Sequence, residues 1–214
     1  MMSKALPLFD EESWEQLPAF IAHLPEPIYL IVWGDEQASQ REEEAARLCR
    51  TLAEHFDGIQ FRMLPQRITY DYWPVIGVMR GTPEEYDDVG VRIVGVPAGF
   101  QMTSFISAMQ AVAFQGSTLD AKTRIQLHTL ADKVTMELIT AVDDETGPLL
   151  AQPVFNMAAA NAHVRAHLIM GDMFPQALWK HSVYTLPHLV INGRVHIEGV
   201  IDEETILKHI AKAI

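Results

Sequence analysis

The chain of 214 residues carries 28 acidic against 16 basic side chains, a formal charge of −12. Such a surface repels nucleic acid and anionic lipid, so neither is expected as a partner. Hydrophobic residues make up 49%, enough for one large core or two small ones. The single cysteine, Cys49, excludes an intrachain disulfide framework and fits a reducing compartment. The opening Met1 to Asp10 is too short and mixed for a leader, and no apolar run reaches the ~18 residues of a membrane span. A cytoplasmic location is the expectation.

Asp10-Glu11-Glu12-Ser13 reads as an acidic helix start, with Trp14, Leu17, Phe20, Ile21 and Leu24 following at helical spacing. Pro25 and Pro27 stop that helix. Ile28 to Trp33 is a short apolar run that predicts a buried strand, broken by Gly34 and Asp35. A long helix is expected from Ala38 to Phe56, with Ala45, Leu48, Cys49, Leu52 and Phe56 on one face. Cys49 on that face reads as a small buried hydrophobe. Strands are expected at Ile59 to Met63, Val75 to Met79 and Val91 to Val94, then a helix from Gly99 to Ala113. Gly95-Val96-Pro97-Ala98-Gly99 lacks the lysine and spacing of a phosphate loop and reads as the strand-to-helix turn.

The second half repeats this order. A helix is expected over Asp120 to Lys133, a strand over Thr135 to Val142, a helix over Pro148 to Asn161 and a strand over Val164 to Met170. A short helix follows from Phe174 to His181. Leu189 to Ile191 and Val195 to Glu198 form a hairpin about Asn192-Gly193, a strong two-residue turn signal. Asp202 caps a last helix whose Glu203 and Glu204 lie early and Lys208 and Lys212 late, as the helix dipole favours. Two copies of one α/β unit in tandem follow, divided as 1–115 and 116–214.

Thr185-Leu186-Pro187-His188-Leu189-Val190-Ile191-Asn192-Gly193-Arg194, then Glu198-Gly199-Val200, resembles the cis-proline segment of a thioredoxin domain. Val91 to Phe100 is similar to the end of the first domain in the two-domain, glutaredoxin-like protein disulfide oxidoreductases. It also resembles the N-terminal double-thioredoxin domain of the alkyl hydroperoxide reductase flavoprotein, as do Asn156-Met157-Ala158 and Asn161. The resemblance implies an α/β fold of two tandem thioredoxin-like units, each a central mixed β-sheet flanked by helices. It implies cis peptide bonds at Leu186-Pro187 and Trp73-Pro74. It places one active-site position near Gln37-Ala38-Ser39-Gln40-Arg41 and the other on Asp144-Glu145-Thr146-Gly147-Pro148. In the disulfide oxidoreductases either domain can carry Cys-x-x-Cys; in the reductase domain the second does. Here neither position holds a thiol.

A thioredoxin cysteine is reactive because a helix N-terminus stabilises its thiolate. Asp144 can use the same N–H donors as a cap but is no nucleophile toward disulfides, and Gly147 supplies no resolving group. Dithiol-disulfide oxidoreductase activity is therefore not expected, and no cofactor or metal is expected. Asp143, Asp144 and Glu145 with His188 offer ligand types found around zinc, but they read as an acidic helix start and a strand histidine. His163 and His167 have helical metal-pair spacing but flank a predicted strand. Ser39 and Ser182 read as surface or capping residues, without a nucleophile elbow.

What the resemblance leaves is a groove. Thioredoxin domains hold extended peptides beside the cis-proline by strand addition, which needs no cysteine. The expected role is a redox-inactive accessory, chaperone or adaptor that binds a protein or peptide at Leu186, Pro187, Trp73 and Pro74. The alternative is a redox component acting through a partner or through Cys49. A homo-oligomer is open on the sequence.

Overall fold

A computed structural model describes residues 17–214. The helix start expected at Asp10 to Ser13, and Trp14, lie outside the described residues. Residues 17–21 are helical, with Leu17 and Ile21 buried and Phe20 exposed.

The first half runs β1 (Ile28–Trp33), α1 (Gln40–His55), β2 (Ile59–Leu64), β3 (Val75–Gly81), β4 (Tyr86–Val94) and α2 (Gln101–Ala113). After α3 (Ala121–His128) the second half runs β5 (Val134–Thr140), α4 (Gly147–Ala160), β6 (Val164–Met170), α5 (Pro175–Lys180), β7 (His188–Ile191), β8 (Val195–Glu198) and α6 (Glu203–Ala213). The β1–β2 and β5–β6 pairs are parallel; β1–β3, β3–β4, β5–β7 and β7–β8 are antiparallel. The two halves thus share one topology, as the repeated order predicted.

They are not two separate sheets. β4 pairs in parallel with β6, Val91 opposite Ala166 and Val94 opposite Ile169. The result is one eight-stranded sheet in the order β2-β1-β3-β4-β6-β5-β7-β8.

Strand alternation assigns the two faces. Leu30, Val32, Ile76, Val78, Leu138 and Leu168 enter the large core, with Leu48 and Cys49 of α1, Phe105 of α2, Phe155 of α4 and Ile206 of α6. Ile31, Trp33, Val75, Ile139, Ile169 and Val190 line the opposite face beneath Ala177 of α5, with Tyr70 and Tyr72 packed against them.

Three boundaries differ from expectation for local reasons. β4 starts at Tyr86, not Val91; its acidic start hid the strand, but Asp87 pairs with Arg80 across β3. β5 stops at Thr140 because Ala141 to Asp144 closes a turn, Asp144 N–H donating to Ala141 C=O. α3 ends at His128, where the Thr129 hydroxyl donates to the Gln126 carbonyl and closes the last turn. At the β7–β8 hairpin Asn192 and Gly193 both have positive φ, 51° and 64°, as a type I′ turn requires.

Candidate functional site

The strand-to-helix junctions after β1 and β5 occupy the same place in each repeat. Both are closed by side-chain hydrogen bonds at the start of the following helix.

At the second junction the donors converge on Asp144. Its Oδ1 accepts from the backbone N–H groups of Thr146 (3.0 Å) and Gly147 (3.0 Å) and from the Thr146 hydroxyl (2.8 Å). Its Oδ2 accepts from the Thr140 hydroxyl (2.8 Å). Asp144 therefore caps α4 with both carboxylate oxygens engaged. Glu145 and Thr146 form the exposed part of the turn, and Pro148 follows within the first turn of α4. Gly147 is buried and has no room beside it. A Cβ there would strike Thr140 Oγ1 and lie 2.9 Å from Gln101 Nε2.

Gln101 ties this junction to the first half. It is fully buried at the start of α2, and its Nε2 donates to the carbonyls of Ala141 and Asp144 at 2.9 Å each. Its Oε1 accepts from the Ser104 hydroxyl. Phe100 N–H donates to Val142 C=O at 3.0 Å. Gly99 has φ +54°, and a Cβ there would strike that same carbonyl oxygen. The turn read from the sequence as a plain connection is thus also a clamp on the second junction.

At the first junction Ser39 is the cap of α1, as expected, accepting from Glu42 N–H. Glu42 is only 4% exposed. Its Oε2 accepts from Asp35 N–H (2.7 Å) and Gln66 Nε2 (2.8 Å), while its Oε1 accepts from the Ser39 hydroxyl (3.0 Å). Ser39-Gln40-Arg41-Glu42 has the form of a capping box, a signal that could have identified Glu42 from sequence. Arg41 next to it reaches the second half, donating to Met173 C=O (2.9 Å) with its guanidinium over the Phe174 ring.

Both expected prolines are cis, at Trp73-Pro74 and Leu186-Pro187. Pro187 C=O accepts from Gly199 N–H (2.9 Å), linking the cis-proline segment to the turn before α6. Exposed apolar side chains lie at two points of the second junction, Phe100 at 45% and Leu149 at 61%.

Asp144 and His188 do not converge. Asp144 is bonded to Thr140, which shares the face of Leu138 in β5; His188 pairs with Ile139 and lies on the opposite face, bonded to His196. His163 is exposed ahead of β6 and His167 lies within it, four strand residues on, about 13 Å along the chain. Cys49 is fully buried in the large core, and burial pushes its thiol well above the ordinary range. Among the described residues, no group of three histidine, cysteine, aspartate or glutamate side chains is placed to hold a metal ion. Nor is any described helix long and apolar enough to cross a membrane.

This architecture is thioredoxin-like. A thioredoxin-domain family matches residues 147–211, the stretch from the start of α4 into α6. Over 94% of its length the chain is 24% identical to the alkyl hydroperoxide reductase protein AhpF of Pseudomonas putida, covering 37% of that protein. Its Pseudomonas aeruginosa counterpart is 28% identical over 58% of the chain, and 24% of that protein is covered. The chain thus spans well under half the length of these curated relatives. The fold matches the N-terminal domain of the Enterococcus faecalis reductase with a TM-score of 0.84 at 18% identity, covering 94% of this chain and 99% of that one. A protein disulfide oxidoreductase from Aeropyrum pernix matches equally, with a TM-score of 0.84 at 18% identity over 98% of this chain and 94% of that one.

Proposed function

We propose that the protein is a redox-inactive thioredoxin-like accessory that binds a protein or peptide partner in the cis-proline groove. The carrying observation is the second junction. Asp144 is consumed as a helix cap, Gly147 has no space for a thiol, and the nearby surface keeps exposed apolar side chains. Thiol–disulfide exchange needs a thiolate that can be attacked and released. Cys49, sealed in the core, does not supply one.

An extended segment would add to the backbone of Leu186 beside Pro187, with Trp73-Pro74 as the corresponding edge of the first half. The relatives named as an alkyl hydroperoxide reductase and a disulfide oxidoreductase suggest where the partner works: a peroxide or disulfide pathway, with the thiols on the partner. This reading includes a cytoplasmic location, excludes nucleic acid and lipid as partners, keeps 115/116 as the boundary between the units, and leaves room for a homo-oligomer.

Capture from lysate by the wild type, Leu186→Glu, Pro187→Ala and the distant surface variant Ile125→Glu tests the groove. Both groove variants should lose partners that the wild type and Ile125→Glu retain. Identical profiles for all four proteins would remove the groove from the account.

A further inference from the structure

The face of the sheet opposite α4 carries a histidine cluster that the groove reading does not use. His188 follows Pro187 directly, is 3% exposed, and its Nε2 lies 3.0 Å from Nδ1 of His196 on β8. One ring donates and the other accepts, so this bond needs at least one neutral imidazole. The other nitrogen of His188, Nδ1, is buried without a partner. His181, at the C-terminus of α5, is buried beside them, its ring 6.3 Å from that of His196 and its Nε2 3.5 Å from Glu137 Oε2.

Charges around the cluster come from every neighbouring element. β5 supplies Glu137, α5 supplies Lys180, and β8 supplies Glu198. His167 of β6 stands beside Glu137 in register, and Asp71 holds Lys180 at 3.1 Å. Glu137 is the carboxylate within reach of His181, and Lys180 opposes a second positive charge there. Leu186 packs on the same apolar cluster as Ala177 of α5 and Val190 of β7. The residue before the cis-proline therefore rests on the ground that the histidines hold together.

We propose that His181, His188 and His196 form a proton-operated latch that fixes α5 and the Leu186-Pro187 segment at neutral pH and releases them in mild acid. Adding protons breaks the His188–His196 bond and sets like charges against each other between α5, β7 and β8. Its consequence for binding rests on the groove reading; the opening itself does not.

Burial, then the charges of His196 and His181, disfavours the imidazolium of His188 against the pull of Glu198; burial likewise lowers His181 against the pull of Glu137. A histidine whose charged form is disfavoured in the closed state takes its proton preferentially in the open one. The closed state is thus fully favoured above the ordinary value of about 6.5 and loses ground as pH falls below it.

Amide hydrogen exchange of the full chain at pH 7.5 and 5.5, corrected for intrinsic rates, tests this. Residues 175–200 should lose about tenfold in protection at pH 5.5, while β1 and β3 keep theirs. His196→Asn, on an exposed position that still offers a hydrogen bond, should abolish most of that loss, and His188→Asn should do the same. His167→Gln should leave it in place. Uniform loss across the sheet, no loss, or an undiminished loss in both cluster variants would overturn the latch. If exchange behaves as expected but partner capture is indifferent to Leu186 and Pro187, the latch stands and the groove reading falls.

Discussion

The two junctions solve one problem by different means. A helix start leaves several backbone N–H groups unpaired, and a thioredoxin site uses them to hold a thiolate. After β1 the chain meets one of them with Ser39, while Glu42 inside the helix turns back, is buried, and accepts from the Ser39 hydroxyl and from Asp35 N–H ahead of the helix. After β5 it meets them with Asp144, ahead of the helix and partly open to solvent. The first solution belongs to the core; the second is a surface cap locked from the side by Gln101. Two equivalent places thus hold two different carboxylate sites, one structural through burial and one through capping.

Glu42→Ala should break the comparison most strongly. It leaves Asp35 N–H and the Gln66 amide without their acceptor, and urea unfolding should show a loss of about 3 kcal/mol. Gly147→Ala comes next, at about 2 kcal/mol, because the new methyl must displace Thr140 or Gln101. Thr140→Ser/Gly147→Ala would still lack space, whereas Thr140→Gly/Gly147→Ala should recover part of the loss by non-additivity. Asp144→Ala should cost least, about 1 kcal/mol, the usual scale of a cap. If Asp144→Ala instead exceeded Glu42→Ala, the distinction between a buried junction and a capped one would not hold.

Much of the fold was legible because its signals are local. Apolar runs gave the strands, β6 to the residue; Asn192-Gly193 gave the hairpin; Ser39 and Asp202 gave two caps, the latter accepting from Thr205 N–H. The cis-proline positions came from resemblance, not from pattern. What stayed hidden depends on distant partners. Gln101 has no local mark that distinguishes it from any other glutamine at a helix start; its role exists only because Ala141 and Asp144 arrive beside it. The placement of His188 opposite Asp144 follows from the parity of β5 and β7, which needs the register as well as the strands. The β4–β6 pairing joins segments separated by helix and loop, and no periodicity announces it.

That pairing has a practical consequence. Val91 to Val94 and, with half-buried His167 between them, Ala166, Leu168 and Ile169 are buried along a seam, each strand supplying hydrogen bonds the other lacks. Separating the chain near residue 115 would leave each fragment with a bare, apolar strand margin of the kind that recruits other chains. Fragments made to study one half alone should therefore stick to each other or to themselves, and reassembly of the two pieces in a tube would restore the seam.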